Sequence, residues 1–380
     1  MKKASQRLLS LDAFRGFTIA SMLLVNNPGD WAHLYAPLDH AKWNGWTFTD
    51  WIFPFFVFIS GIAMTMSLSA RARARGANRT DLLLRTLRRG ATIIAIGWLL
   101  NYIPYFNLAH VRIPGVLQRI GLCTMLTAPL AIWLGWRAQA LVGVALMALY
   151  SAIQLLVPVP DAAGVVHAGL LEPGADVGAF VDRTLLGAHL WVQSKTWDPE
   201  GLLSTLPAVA SQIAGLLAGH WLASERPAAD KAMGYMIGGL LLLWAASIGD
   251  FWLMPINKSL WTPPYVLLMA GWACLVFGSF YWLLDAQPYA VARARLARLV
   301  RPLQVLGVNA LFLFALSGLV AKMMGYIKID GRSLHAVVYA PFAASGLAPI
   351  NASLAYAIAF VAVMYACAWG LWKRGIVVKV

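Results

Sequence analysis

The chain has 380 residues, 60% of them hydrophobic and 12% charged, and its mean hydropathy is +0.67. A soluble domain carries roughly 25% charged residues, so this composition excludes an ordinary soluble fold and points to an all-α polytopic membrane protein. The net charge of +14 invites a nucleic-acid partner. However, the basic residues gather between alternate apolar runs, as the lipid bilayer demands, so no nucleic acid is expected.

Apolar windows of about 20 residues, enough to cross a roughly 30 Å hydrocarbon core, recur along the whole length and predict ten spans. The first, 9–27, follows the basic start MKKASQR. It reads as an uncleaved helix, because Asp12 and Arg15 interrupt the apolar run and no small-residue cleavage site follows. Asp12 and Arg15 are three apart and can pair on one helix face. Asn26 and Asn27 close the span ahead of Pro28, where an amide either caps the helix or donates to a developing oxyanion.

The next loop, PLDHAKWNGWTFTDW over 37–51, places a histidine, two aspartates and three tryptophans between two apolar runs. His40 is the best candidate base in the chain, with Asp39 or Asp50 available to set its tautomer. Trp43 and Trp46 can wall off water there, or serve as ordinary interfacial residues. Asp50 also opens the second span, 48–70, where Thr47 or Thr49 caps the helix and a carboxylate suits its positive end. Pro54 is expected to kink that helix beside a cavity.

The run RARARGANRTDLLLRTLRR leads into the third span, 86–104. HVRIPGVLQRIG then sets Arg112, Gln118 and Arg119 at the start of the fourth, 114–134. Arg119 falls about one turn inside and needs an anionic partner or a wet cavity, and arginine suits phosphate. After a fifth span, 138–157, the longest loop, 158–202, opens with a stretch (158–178) whose composition reads as flexible. In TWDPEGLLSTL, Asp198 and Glu200 suit the start of the sixth span, 203–223, with Pro199 at its first position. The seventh span, 232–250, is followed by LMPINKSLWTPPY, which brings Asn257 and Lys258 to the entrance of the eighth, 263–284. Asn309 is the remaining polar residue inside the ninth, 301–322, and 353–373 closes the series.

Most of the 30 lysines and arginines fall near the termini and in alternate loops, which predicts cytoplasmic termini and an outer His40 loop. Residues outside the spans are too few to bury a soluble core. Residues 1–380 therefore read as a single transmembrane domain, and the spacing permits two five-helix bundles, 1–224 and 225–380. Cys123, Cys274 and Cys367 lie in apolar runs with no CxxC spacing or histidine pair, so neither disulfide nor metal is expected.

Five stretches in order, LDAFRGFTIASMLLVNNPG, HAKWNGWTFTDWIFPFFVFISG, VRIPGVLQRIG, WDPEGLLSTL and PINKSLWT, resemble the heparan-α-glucosaminide N-acetyltransferase family, most of all its short bacterial NagX-type members. GVNALFLF is a weaker later match, and the family's lumenal N-terminal extension is expected to be absent. The resemblance implies transfer of acetyl from cytosolic acetyl-CoA to the amine of a glucosamine-type sugar across a bacterial inner membrane. It carries the family's active-site histidine onto His40 and its asparagine onto Asn26, with Asp50 and Asp39 as catalytic partners. The CoA phosphates would be met by Arg15, Arg119, Arg112, Gln118, Lys258 and Asn257. Trp43, Asn44, Asp198 and Glu200 would meet the sugar. A homodimer is compatible with this reading. An amino-sugar transporter is the rival, since ten spans broken by Pro and Gly would suit one.

Overall fold

The computed structural model describes residues 8–378. The basic start with Lys2, Lys3 and Arg7 lies outside the described residues. Fifteen α-helices follow in order: α1 Leu9–Val25, α2 Ile52–Met64, α3 Ala70–Ala72, α4 Arg79–Tyr102, α5 Val116–Trp133, α6 Trp136–Leu156, α7 Val177–Leu186, α8 Thr205–Leu222, α9 Ala228–Trp252, α10 Pro263–Tyr281, α11 Ala290–Leu299, α12 Arg301–Val308, α13 Ala310–Tyr326, α14 Leu334–Ala343 and α15 Pro349–Lys373. Two two-residue hairpins, β1–β2 (Val159–Pro160 with Val166–His167) and β3–β4 (Lys328–Ile329 with Arg332–Ser333), are the strands among the described residues.

Each expected span coincides with a helix or a pair of helices. By length and composition, however, six are apolar enough to cross a membrane, or seven if the bent pair α12–α13 counts as one. The reasons lie in the residues. Helix α1 has 17 residues and carries Asp12 and Arg15. Arg79, Arg85, Arg88 and Arg89 dilute α4, and Gln212 and His220 dilute α8. The ninth expected span is broken at Asn309, where the axis turns by 79°. Asn309 donates from Nδ2 to Ile376 O and accepts from Val378 N, which ties the chain after α15 to the break.

The long loop is also more structured than its composition suggests. Asp161 accepts from Ala163 N and Val165 N to close the β1–β2 turn, and Asp176 caps α7 by accepting from Ala179 N. A local side-chain acceptor provides order that a Gly/Ala/Pro/Asp count cannot reveal. Helix α14 likewise fills part of what reads as a plain loop, started by the Ser333 cap.

Helix α9 packs along α10, α4 along α5, α2 and α6 against α8, and α1 against α12. Two of these crossings require glycine. A Cβ on Gly61 would lie 2.2 Å from Gln212 O, and one on Gly215 would lie 2.1 Å from Phe58 O. Between α1 and α12, a Cβ on Gly16 would meet Leu303 O at 1.7 Å, and one on Gly307 would meet Asp12 O at 2.1 Å. Small residues let backbones approach where apolar burial gives no drive between helices in lipid. One core joins Phe14, Phe55, Phe58 and Ala218 to Ala232, Tyr235 and Phe277, so residues on both sides of position 224 share it.

Candidate active site

The loop between α1 and α2 is built around one carboxylate. Thr47 caps a short 3-10 turn, Phe48–Trp51, that leads into α2, and Asp50 completes the capping box. Asp50 Oδ2 accepts from Thr47 N at 3.0 Å, Thr47 Oγ1 at 3.2 Å and Ala41 N at 3.2 Å. Its other oxygen, Oδ1, faces His40 Nδ1 at 2.7 Å. Capping and orienting the histidine, alternatives at the level of sequence, are thus carried by the two oxygens of the same group. Asp50 is fully buried, whereas the His40 side chain is 49% exposed. That combination suits a base: a fixed buried anion behind it and an open ring edge in front. Tyr265 donates to Asp50 O at 2.7 Å and pins the turn from α10.

Lys258 joins the pair. Its Nζ lies 2.9 Å from His40 Nδ1 and 3.2 Å from Asp50 Oδ1. It comes from the segment between α9 and α10, which is stitched to the His40 loop. Asn44 and Asn257 form an antiparallel bridge, Gly45 N donates to Ile256 O at 2.8 Å, and Asn257 Nδ2 donates to Asn44 Oδ1 at 3.1 Å. Asn257 is fully buried and also accepts from Leu260 N. Asn44 and Asn257 thus hold two loops together. Asp39 sits one step back: its Oδ1 accepts from the His40 backbone N–H at 2.8 Å, so Asp50 rather than Asp39 orients the ring.

Asn26 is the C-cap of α1, exposed, and its side chain has no hydrogen-bond partner among the described residues. Asn27 does the capping, donating from Nδ2 to Leu23 O at 2.9 Å. Arg15 is set toward the other end of α1, 3.4 Å from Asp12 Oδ1 and 3.4 Å from Gly307 O.

The arginines before and within α5 grip the segment that enters α8. Arg112 pairs with Asp198 through two bonds, 2.8 Å from Nε and 2.5 Å from Nη2, and Nη2 also meets Glu200. Arg119 is 1% exposed and donates to Pro199 O at 3.1 Å and to Gly201 O at 2.8 Å; it also donates to Ser204 Oγ at 2.5 Å. Its guanidinium lies 5.1 Å over the Trp261 ring. The sequence asks for an anionic partner or a wet cavity here; Arg119 is instead bonded to two backbone carbonyls and a hydroxyl. Gln118 is buried against Gly97 and Gly115. Burial pushes the Glu200 carboxyl up, but Arg112, Arg119 and Lys258 together hold it below its ordinary value.

Trp43 donates from Nε1 to Leu171 O and meets the edge of Trp197 at 5.1 Å. Beside Trp197 a cleft is lined by Tyr150, Asp176, Asp182, Asp198 and Ser259. Asp182 and Asp176 were not among the sequence candidates, because nothing in their local sequence marks them as buried. Burial pushes the Asp182 carboxyl up to about 7, and the nearby Asp198 adds to the shift. Only the capping pattern of DVGAFVD would have drawn attention to this segment.

The family model described as heparan-alpha-glucosaminide N-acetyltransferase, catalytic, matches residues 7–249 and so includes His40, Asp50 and Asp198. The heparan-alpha-glucosaminide N-acetyltransferase of Mus musculus is 27% identical over 340 residues, covering 75% of this chain and 50% of that protein. That of Homo sapiens is 28% identical over 338 residues, covering 74% of this chain and 49% of its own length. The chain spans about half the length of these relatives. By the match of its first two-thirds, the chain belongs to the heparan-alpha-glucosaminide N-acetyltransferase family.

Proposed function

We propose that the chain is a membrane acetyltransferase that moves acetyl from acetyl-CoA to the amine of a glucosamine-type sugar, with His40 as the reacting residue. The observation that carries this reading is the His40–Asp50 contact at 2.7 Å, at the position the family's motif assigns to the active-site histidine. With Nδ1–H held by Asp50, Nε2 keeps a lone pair at the open edge of the ring. Nε2 takes the proton as the sugar nitrogen attacks the thioester carbonyl. The C–N bond forms, the C–S bond breaks, and the imidazolium returns the proton to the departing thiolate. The products are an amide and the free thiol of CoA.

In a second route His40 Nε2 attacks first and carries the acetyl group before the amine arrives. Acetyl trapped on His40 with acetyl-CoA alone selects that route. Asn26, at the outer end of α1, is the side-chain donor we assign to the tetrahedral oxyanion, a contribution that reaches about 3 kcal/mol.

The arginines of 71–89 and Arg15 lie toward the end of the bundle opposite His40. A donor entering there and an acceptor meeting His40 at the other face fits the positive-inside count. We place the protein in a bacterial inner membrane with the acceptor on the periplasmic side. The test is transfer from radiolabelled acetyl-CoA to glucosamine by reconstituted protein, with His40→Ala as control. Acetylated sugar from the wild type alone supports the reading. Uptake of unmodified sugar without acetyl-CoA would replace it with a transporter.

A further inference from the structure

His40 Nδ1 has two claimants. Asp50 Oδ1 lies 2.7 Å away and Lys258 Nζ lies 2.9 Å away. One ring nitrogen carries either a hydrogen or a lone pair, so it donates to the carboxylate or accepts from the ammonium, never both. Lys258 has alternatives, since Nζ is also 3.2 Å from Asp50 Oδ1 and 3.5 Å from His40 Nε2. When Nδ1–H points at Asp50, the ammonium turns to Oδ1 and Nε2 is free. When the ammonium donates to Nδ1, the ring hydrogen sits on Nε2.

We propose that Lys258 is a positioning residue that selects the His40 tautomer and keeps the ring from holding a second proton. A cation against the imidazole disfavours imidazolium, while its contact with Oδ1 keeps Asp50 ionised and the ring aligned. The other charged groups near this cluster are Asp39 on the His40 backbone, Glu200, Arg112 that bonds Glu200, and Arg119. Tyr265 approaches Asp50 from α10. The proposal rests on the reading that His40 is the reacting residue. It differs from a phosphate-binding role for Lys258, because the ammonium is already engaged by Asp50 and His40.

The experiment follows modification of His40 by diethyl pyrocarbonate, which reacts with unprotonated imidazole, against pH. It uses full-length protein in detergent, with His40→Ala as the blank for the other histidines. In Lys258→Met the midpoint of that profile is expected to move up by about one pH unit, a tenfold change in proton affinity. Lys258→Arg is expected to keep the wild-type midpoint. In the transfer assay, kcat of Lys258→Met falls about tenfold while KM for acetyl-CoA stays within twofold. An unmoved midpoint overturns the proposal. A tenfold rise in KM for acetyl-CoA with the midpoint in place overturns it too, and gives Lys258 to the donor phosphates. Lys258→Gln, uncharged but still a donor, is the second variant if Lys258→Met does not fold. The modification needs no turnover, so a wild type without transferase activity sinks the functional reading while the midpoint still decides this one.

Discussion

Replacing Asp50 with asparagine removes a charge and turns one acceptor oxygen into a donor, and the structure says which oxygen. If the amide nitrogen takes the Oδ2 position, Ala41 N and Thr47 N both lose their acceptor, while Thr47 Oγ1 keeps its bond to Asp39 O. If it takes the Oδ1 position, it faces only His40 Nδ1 and the Lys258 ammonium. The second placement breaks fewer bonds, and it forces Nδ1 to accept, moving the ring hydrogen to Nε2. The base is then in the wrong tautomer. By analogy with the same change in a Ser-His-Asp triad, kcat should fall ~10³–10⁴-fold, or about 4–5 kcal/mol in barrier. Stability should fall by only about 2 kcal/mol, the cost of a weakened cap and a lost charge-assisted bond. The assay is acetyl transfer to glucosamine by reconstituted protein, read beside thermal unfolding in detergent. A folded Asp50→Asn protein with kcat within fivefold of wild type would refute the orienting role.

Other sites give independent checks. His40→Ala should abolish transfer yet leave acetyl-CoA binding within threefold, as measured by equilibrium dialysis. Gly61→Leu forces α2 away from α8 at a 2.2 Å approach; it should cost about 2–3 kcal/mol and lower the unfolding temperature in detergent. Arg112→Met leaves Asp198 and Glu200 without their guanidinium, a loss of about 3–5 kcal/mol, whereas Arg112→Lys should recover only part of it because the paired geometry is gone. Burial raises Asp182 from 3.8 to about 7, so the folded protein holds a proton there that the unfolded chain releases. The corresponding stability is full below about pH 4 and disappears as pH rises through about 7. The unfolding temperature of wild type relative to Asp182→Asn should decline across that window, and a flat difference would contradict the shift.

Helical content, the approximate places of the helices and the His40 loop were legible because apolar periodicity and motif residues act locally. Asp50 was legible twice over, as cap and as partner of a base, since both roles depend on residues within ten positions. What could not be read were pairings across long separations. Lys258 reaches His40 over 218 positions only because the Asn44–Asn257 bridge aligns two loops. Arg119 was recognised as needing partners, but its carbonyl partners carry no sequence signal. The break at Asn309 was equally hidden: neither proline nor glycine occupies that position, and the chain beyond α15 that bonds it there lies 67 positions away. Asp182 drew no attention because its burial by α8's leading segment is a tertiary fact, visible in the bond from Leu202 N.

Sharing one carboxylate between a helix cap and His40 ties the proposed chemistry to the local melting of α2. The first turn is short and depends on Thr47 and Asp50 for its order. Fraying there releases His40 from its partner without disturbing the packed crossings at Gly61 and Gly215 below. Heat should therefore inactivate the protein reversibly at temperatures where its helices are still intact, and thermal tolerance of activity should follow residues 39–51 rather than the bundle.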